Sequence, residues 1–321
     1  MGIRYLNKYL IDKCSKESIT QIHLSQLESK TIVIDTSIYL YKFIGEGMLA
    51  ENLYILLTLF KKYKINALFV FEGTPPPEKW DTIETRNKEK DKAEVMYENL
   101  TRELKKSDYT DVERDKIMLQ LQSVKKQCIR IKKHHIMFAK NMMDCFGIKY
   151  IDAYGESDEI CAKLCKSQIA FGCLSDDMDM FTYGCSNILR NLNLINEEVT
   201  LYNYDKIIFD LNLKPQIFTQ LLILSSNDYY KDNTNDFNKV MEWYYAYKKM
   251  EVVMPFKNWL IENNYIQHIE DINNVEKIYT IDNNIEINVH NLNETITSQN
   301  DMKYTKLKEL LLPYGFIFLN E

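Results

Sequence analysis

The chain has 321 residues, of which 45% are hydrophobic, so it can bury the core of one large domain or two smaller ones. Its formal net charge of −6 excludes a surface that is basic all over, and any binding of nucleic acid then requires a local basic patch. The apolar runs stay shorter than the roughly 18 residues of a membrane span, which predicts that no membrane is a partner. The start lacks a signal-peptide core. The cysteines contain no CxxC pair, which predicts free thiols in an intracellular protein.

The first part of the chain predicts a βαβ unit. Residues 31–35 (TIVID) are an apolar run that ends in Asp35, and residues 67–71 (ALFVF) are a second run followed directly by Glu72. Between them, residues 51–63 have the apolar spacing of a helix. A strand, a helix and a strand at this spacing favour a parallel sheet, in which both acidic residues lie at the same edge.

A charged stretch follows. Residues 78–145 contain neither glycine nor proline, which predicts two long helices separated by the polar break SDYTD at 107–111. The segment 125–133 carries five basic residues in nine, although mixed charge on a long helix usually marks only a solvated face. His134 and His135 adjoin lysines on a helix, so a surface or phosphate-facing role is favoured over metal binding.

Two acidic pairs with i, i+2 spacing come next. Glu156 and Asp158 begin a predicted helix, where unpaired backbone N–H groups favour negative charge. Asp177 and Asp179 follow the strand predicted over 169–174, at the edge where open α/β sheets bind ligands. Taken alone, the pairs are also explained by an acidic helix cap and a polar turn. The acids that end two earlier strands favour a cation site instead, because clustered carboxylates repel each other without cations between them. Beside such a site, the basic helical segment suits a polyanion held across metal ions.

The remaining chain predicts two strands around a turn at 187–204 and a helix at 214–225. Beyond about residue 230 the pattern is helical in places. The stretch 271–299, which is rich in Asn and Asp, is predicted to be a loop.

Five motifs occur in order along the first 230 residues, after a start that reads MGI. They are VIDTSIYLYKF (33–43), FVFEGTPPPEK (69–79), GIKYIDAYGESDEICAKL (147–164), LSDDMDMFTYG (174–184) and LLILSSNDYY (221–230). Together they resemble the flap endonuclease family, which includes the XPG-type repair nucleases. The resemblance is that of a divergent, compact member, with a viral source as one alternative.

The resemblance implies a set of site residues. The implied ligands of two Mg²⁺ ions, which Mn²⁺ is expected to replace, are Asp35, Glu72, Glu156, Asp158, Asp177, Asp179 and Asp228. Lys79 and Arg86 match basic residues at the scissile phosphate and are the implied catalytic residues. The implied DNA-binding positions are Gly2, Tyr41, Lys79, Arg86, Lys125, Lys126, Arg130 and Lys133.

The implied fold is α/β, a PIN-like 5′ nuclease core with a mostly parallel central sheet flanked by helices. The core would span 1–230 with a helical arch inserted at about 78–135, and a helical C-terminal region, 231–321, would pack on it. The implied function is hydrolysis of DNA phosphodiesters near 5′ flaps or single/double-strand junctions in replication, repair or recombination. It would take place in the nucleus or a viral replication compartment. A PIN-like ribonuclease and a catalytically silent DNA-binding scaffold are the alternatives.

The chain also departs from the family pattern. Glu72 stands where the family has Asp, and Asp158 where it usually has Glu, which is expected to retune the metal geometry. No glycine occurs between Gly184 and Gly315, although the family's DNA-gripping helix–turn–helix clamp needs glycine in its tight turn. We therefore expect this clamp to be remodelled or lost. The end, LLPYGFIFLNE, shows no evident sliding-clamp-binding tail.

Overall fold

Short apolar runs form the strands of one mixed sheet in the computed structural model, which describes residues 2–105, 109–225, 229, 235–250, 254–280 and 302–318. Seven strands lie within these ranges: β1 (Ile19–His23), β2 (Thr31–Asp35), β3 (Asn66–Phe71), β4 (Lys149–Asp152), β5 (Gly172–Leu174), β6 (Asn187–Asn193) and β7 (Glu198–Asn203). Their spatial order is β1-β7-β6-β5-β2-β3-β4. Neighbouring strands from β6 to β4 pair in parallel, whereas β7 pairs antiparallel with both β6 and β1. The predicted mostly parallel sheet is therefore confirmed.

Helices connect the strands and cover both faces of the sheet. Within the same ranges they are α1 (Leu6–Lys13), α2 (Thr36–Glu46), α3 (Leu49–Lys62), α4 (Trp80–Leu104), α5 (Asp111–Gln127), α6 (Lys133–Phe146), α7 (Ser157–Lys166), α8 (Asp179–Thr182), α9 (Tyr204–Asp210), α10 (Pro215–Leu224), α11 (Phe237–Lys249), α12 (Phe256–Glu262), α13 (Ile269–Tyr279) and α14 (Tyr304–Leu311). Several of these helices begin at residues that commonly start helices. Thr110 and Glu113 form a capping box at the start of α5, Pro215 is the first residue of α10, and the Asp236 carboxylate caps α11.

Alternation along the strands gives the sheet two buried faces. In β2, Val33 joins one apolar cluster, while Ile32 and Ile34 join the other. Helices α1 and α7 to α13 cover the first face, and α2, α3, α6 and α14 cover the second. Because each face is buried, the register of β2 is strongly specified and the position of its last residue is fixed.

The helices α4 and α5 form a hairpin that packs chiefly on itself. Ala93 and Leu100 of α4 meet Ile117 and Val124 of α5 in a small apolar cluster that is separate from the two sheet faces. Most other side chains of the hairpin are exposed, as expected for a charge-rich helical pair. The hairpin lies within the segment for which an arch is predicted, and its role as an arch stays a prediction.

The prediction of two helices over 78–145 is wrong, because three helices, α4, α5 and α6, occupy this stretch. The chain leaves the helical path between Gln127 and Lys133. In this break Arg130 pairs with Asp91 and Glu94 of α4, and the Ile129 side chain lies against the backbone of α2. The end of α5 therefore coincides with tertiary contacts, in a segment that has no glycine or proline to mark it.

Two other predicted elements also change. The strand predicted over 169–174 is limited to β5, because the residues before it close the end of α7, where the Ala170 N–H donates to the Leu164 carbonyl at 2.9 Å. The stretch 271–299 is not all loop, since α13 occupies its first part. Buried Ile272, Val275 and Tyr279 form one face of this helix, while its Asp and Asn side chains lie on the other faces. Residues 281–299 lie outside the described ranges.

The C-terminal helices divide between the two faces. Helices α11 to α13 share the apolar cluster of α7 and α10, whereas α14 packs against α6 on the opposite face. The predicted boundary between a core at 1–230 and a C-terminal region at 231–321 stays a prediction. Among the helices in the described ranges, none alone has the length and apolar character to cross a bilayer, and α9 with α10, which meet at 89°, qualify only as a bent pair.

Candidate active site

The carboxyl ends of the parallel strands bring acidic side chains to one edge of the sheet. Asp35 is the last residue of β2, Glu72 directly follows β3, and Asp177 lies shortly beyond β5. A cavity of about 640 Å³ opens at this edge. Its lining includes these predicted metal ligands: Asp35, Glu72, Glu156, Asp158, Asp177 and Asp179. The remaining predicted ligand, Asp228, lies outside the described residues.

Two serine hydroxyls hold the innermost carboxylates. Ser157 is the first residue of α7, and its Oγ lies 3.2 Å from Asp35 Oδ1 and 2.8 Å from Glu72 Oε2. Its backbone N–H also donates to Glu72 Oε1 at 3.3 Å. The Ser175 hydroxyl donates to the other Asp35 oxygen, Oδ2, at 3.1 Å. The start of α7 thus supplies donors and the positive end of a helix dipole to the acidic cluster.

Burial and mutual repulsion oppose the ionised state of these carboxyls. Asp35 is only 3% exposed, and burial, followed by the charges of Glu72 and Asp177, raises its pKa to about 7. Burial also raises the pKa of Asp158 well above its usual range, with the charge of Asp35 as the next cause. The pKa of Glu72 is raised mainly by burial, against the hydrogen bonds from Ser157. A positive charge in the cavity would counteract these shifts.

The donors of this cavity suit a hard divalent cation. Among the described residues, its lining offers carboxylate oxygens and neither thiol nor imidazole groups, which matches the preference of Mg²⁺ for oxygen ligands. The described side chains are not drawn together as a closed group of three or more ligands around one point. The residue types therefore fit the predicted ions, and the arrangement is an open one in which serine, lysine and tyrosine partners hold the carboxylates.

Lys79 and Tyr229 hold Glu156 from two sides. Lys79 Nζ lies 2.6 Å from Glu156 Oε1, with 14% of the lysine side chain exposed. The Tyr229 hydroxyl donates to Glu156 Oε2, and Lys79 Nζ lies 5.1 Å from the centre of the Tyr229 ring. A predicted catalytic cation is thus in direct contact with a predicted metal ligand.

Three further predicted residues, Gly2, Tyr41 and Arg86, line the same cavity. Lys90 Nζ lies 3.0 Å from the Tyr41 hydroxyl, which joins α4 to α2 beside the cavity. Gly2 has a φ of +93°, and a β-carbon placed there would lie 2.9 Å from Asp177 Oδ1. Only glycine allows the N-terminal segment to approach the carboxylates this closely.

The other predicted DNA-binding residues lie away from this cavity. Lys125 and Lys126 are exposed in the last turn of α5, and Lys133 is exposed at the start of α6. Arg130 is turned toward α4, where it pairs with Asp91 at 2.6 Å and with Glu94 at 2.9 Å. The structure therefore gives three of these four cations an exposed position, while Arg130 is engaged within the hairpin.

Sequence reasoning missed several residues of the site. Ser157 and Tyr229 are each adjacent to a predicted ligand, and Ser175 lies two residues before Asp177. All three lie inside the quoted motifs, so their closeness to the ligands in the sequence was the available signal. Asp176, in contrast, is acidic and adjacent but is used structurally, because its carboxylate accepts the Asn191 N–H at 2.7 Å.

Tyr279 is a fourth residue that the sequence did not reveal. It is the last residue of α13, and its hydroxyl donates to Asp179 Oδ2 at 3.0 Å. Its ring makes edge contacts with Tyr183 and Tyr229, at centre distances of 4.8 and 5.7 Å. No motif contains this tyrosine, and its only sequence signal is the apolar spacing of α13.

An acidic cavity at the carboxyl edge of a mostly parallel sheet, with a helical hairpin beside it, defines the PIN-like class of nuclease folds. The model of the XPG N-terminal domain matches residues 1–93, and that of the XPG I-region matches residues 147–228, which together are more than half of the chain. The chain therefore belongs to the XPG-type 5′ nuclease family, as its motifs predict.

Curated relatives include proteins named flap endonuclease 1. That of Cryptosporidium muris is 28% identical over 265 residues, which cover 71% of this chain and 52% of the relative. That of Leishmania braziliensis is 29% identical over 251 residues, which cover 71% of this chain and 60% of the relative. The chain therefore spans little more than half the length of these relatives.

Solved structures share the fold. The Holliday junction-resolving enzyme GEN1, in complex with product DNA and Mg²⁺, has a TM-score of 0.63 at 16% identity, covering 97% of this chain and 73% of GEN1. The catalytic core of Rad2 in complex with a DNA substrate has a TM-score of 0.58 at 20% identity, covering 97% and 99% of the two chains. Flap endonuclease-1 from Methanococcus jannaschii has a TM-score of 0.57 at 18% identity, covering 98% and 100%. At these identities the likeness establishes the fold.

Proposed function

We propose that this protein is a metal-dependent, structure-specific 5′ nuclease that hydrolyses DNA phosphodiesters near 5′ flaps or single/double-strand junctions. The observation that carries the proposal is one cavity lined both by the carboxylate cluster and by the cations Lys79 and Arg86. Relatives named flap endonuclease 1, and solved neighbours in complex with DNA, support this substrate class.

The carboxylates are proposed to hold two divalent ions, with Mg²⁺ as the expected ion and Mn²⁺ as its substitute. One ion is assigned mainly to Asp35, Glu72, Glu156 and Asp158, and the other mainly to Asp177, Asp179 and Asp228. When bound, such ions supply the charge that activates a water molecule and stabilises the leaving 3′ oxygen. The chain then needs no side-chain nucleophile of its own.

The cations of the cavity are proposed to act on the phosphate. Lys79 and Arg86 would neutralise the charge that develops on its oxygens in the transition state. Because Lys79 already pairs with Glu156, it can shift its contact from this carboxylate to an arriving phosphate without leaving the cavity. Arg86 lies exposed on α4 and can donate two parallel hydrogen bonds to one phosphate.

The surface around the cavity is proposed to bind the DNA strands. Exposed Lys125, Lys126 and Lys133 would contact phosphates, which gives affinity that depends on salt and not on sequence. Tyr41, at the wall of the cavity, offers a ring on which a base can stack. We expect the protein to work where DNA is replicated, repaired or recombined, which is the nucleus or a viral replication compartment.

The test is cleavage of labelled 5′-flap, nicked, gapped, Y-shaped and bubble DNA, with single-stranded RNA alongside, in Mg²⁺ and in chelator. We expect Mg²⁺-dependent cuts near the junction of a flap or Y-shaped DNA. In the double variant Asp177→Ala/Asp179→Ala, cleavage is expected to fall by several orders of magnitude while binding persists. Cleavage should fall because two proposed metal ligands are removed, and binding should persist because the helical hairpin is unchanged.

Each alternative has its own outcome in the same experiment. Preferential cleavage of RNA would identify a PIN-like ribonuclease. Tight binding of junction DNA with no cleavage in any divalent ion would identify a silent scaffold. Near-normal turnover by the double variant would overturn the metal assignment.

A further inference from the structure

We infer that Tyr279 is a positioning residue for the Asp179 carboxylate, so that the C-terminal helix α13 completes the metal-binding site. The inference rests on the proposed function, because it assigns Asp179 to an ion. It concerns a part of the chain that neither family model covers, since the matched regions end at residue 228.

The contact between the two residues is buried. The Tyr279 hydroxyl lies 3.0 Å from Asp179 Oδ2, and the two residues are only 3% and 5% exposed. A hydrogen bond to a charged acceptor away from water is stronger than one at the surface, and it limits rotation of the carboxylate. Asp179 also lines the cavity, so the hydroxyl acts on a group that is available to an ion.

The position of the hydroxyl is set by the packing of α13. Ile272, Val275 and Tyr279 share the buried face of this helix, which packs against α10 and α12. Lys257 of α12 donates to Asn273 at 2.7 Å and pairs with Glu276, which ties the two helices together. Tyr279 therefore reaches Asp179 from a braced helix and not from a loop.

The tyrosine rings also connect the two proposed ion positions. Tyr229 donates to Glu156, which is assigned mainly to one ion, and Tyr279 donates to Asp179, which is assigned to the other. The two rings meet edge-on at 5.7 Å with an angle of 90° between their planes. Glu156 and Asp179 are therefore held by hydroxyls whose rings pack against each other, and these carboxylates are assigned to different ions.

Partners that orient a metal ligand from behind typically change metal affinity by about 10- to 100-fold when they are removed. Tyr279→Phe removes the hydroxyl and keeps the ring contacts. We expect this variant to bind Mn²⁺ about tenfold more weakly at one of two sites, measured by calorimetry on the protein without DNA. The Mg²⁺ concentration for half-maximal cleavage should rise by a similar factor, while the rate at saturating Mg²⁺ changes little.

Tyr265→Phe is the matched control. Tyr265 lies in the same C-terminal region, and its ring stacks on Trp243 at 4.7 Å. This variant also loses one tyrosine hydroxyl but should bind Mn²⁺ like the wild type. Circular dichroism and the Tm of both variants in chelator separate a loss of folding from a loss of ion binding.

A double-mutant cycle with Asp179→Asn tests whether the Tyr279 hydroxyl affects ion binding through Asp179. If the hydroxyl acts through Asp179, Tyr279→Phe should change Mn²⁺ affinity in the wild-type background and have no further effect in the Asp179→Asn background. Equal losses in both backgrounds, or unchanged Mn²⁺ binding in folded Tyr279→Phe, would overturn the inference and leave the proposed nuclease intact. A wild-type protein that neither binds Mn²⁺ nor cleaves DNA would overturn the proposed function and the inference together.

Discussion

Asp35 shows how the chemistry of the site opposes the stability of the chain. Its pKa is raised from 3.8 to about 7 by burial and by neighbouring carboxylates. Between these two values the folded chain holds a proton that the unfolded chain has released. The free energy of unfolding therefore falls as pH rises from about 4 to about 7 in the metal-free protein. A bound cation would remove this penalty by favouring the ionised form.

Replacing Asp35 with a neutral isostere should remove the loss of stability that its ionisation causes in the metal-free protein. In chelator, Asp35→Asn is expected to have a higher Tm than the wild type at pH 8 and a smaller advantage at pH 5, where the wild-type carboxyl is protonated. Adding Mg²⁺ should raise the Tm of the wild type more than that of the variant, because binding to the folded state stabilises it. Asp205→Asn, at an exposed position in α9, is the control. A metal-free Asp35→Asn variant that is less stable than the wild type at pH 8 would contradict the argument.

At this scale the sequence predicts the ligands better than their partners. Asp35 and Glu72 can be predicted because Asp35 ends β2 and Glu72 directly follows β3, and strand ends share one edge of a parallel sheet. The roles of the Ser157 and Tyr279 hydroxyls could not be predicted from the sequence in this way. Their roles depend on which side chains the fold brings within hydrogen-bond distance, and this has no period in the sequence.

The hairpin of α4 and α5 illustrates the same limit for whole elements. Its charge and lack of glycine and proline predict long helices, and two such helices are present. Local pattern does not predict the break after Gln127, where Arg130 contacts Asp91 and Glu94 of the other helix. Those contacts also change what is expected of the basic residues, since a guanidinium that already has two carboxylate partners is less available to phosphate.

Lys125 and Arg130 should therefore differ in their effect on DNA binding. The double variant Lys125→Ala/Lys126→Ala is expected to weaken binding of all DNA substrates and to reduce the slope of log affinity against log salt by about one for each lysine lost. Arg130→Ala should change this slope less. The measurement is a fluorescence-anisotropy titration in chelator, to prevent cleavage, over a range of NaCl concentrations. An Arg130→Ala slope change as large as that of a lysine would show that Arg130 leaves its acidic partners to bind phosphate.

For the whole molecule, the departure from the family pattern concerns the segment that follows α10. Helix α10 ends at Leu224 and α11 begins at Phe237, and the sequence between them contains no glycine. A clamp that grips the downstream duplex presents backbone groups to a phosphate and a monovalent ion, and a β-carbon obstructs so close an approach. The mostly parallel sheet could be predicted because its strands repeat a simple pattern, whereas the fate of the clamp depends on backbone geometry.

We expect cleavage to depend weakly on downstream duplex length and to be equal in K⁺ and Na⁺ at matched ionic strength. The measurement is the single-turnover rate on flaps whose downstream duplex varies from about 4 to 20 base pairs, a range set by one to two turns of DNA. Lys239→Ala, at the start of α11, should lower affinity slightly at every length, because it removes only diffuse positive charge. A sharp length threshold together with a preference for K⁺ would show that a working clamp forms without glycine.

The strict alternation of β2 limits the ways in which this protein can evolve. Val33 faces one buried layer, Ile32 and Ile34 face the other, and Asp35 ends the strand at the cavity. Inserting or deleting a single residue here would send every following side chain to the opposite layer and carry the acid away from its neighbours. The sequence of β2 can therefore change by substitution during evolution, but not by insertion or deletion. The exposed hairpin, whose helices pack mainly on each other, can gain or lose whole turns while the carboxylates stay where they are.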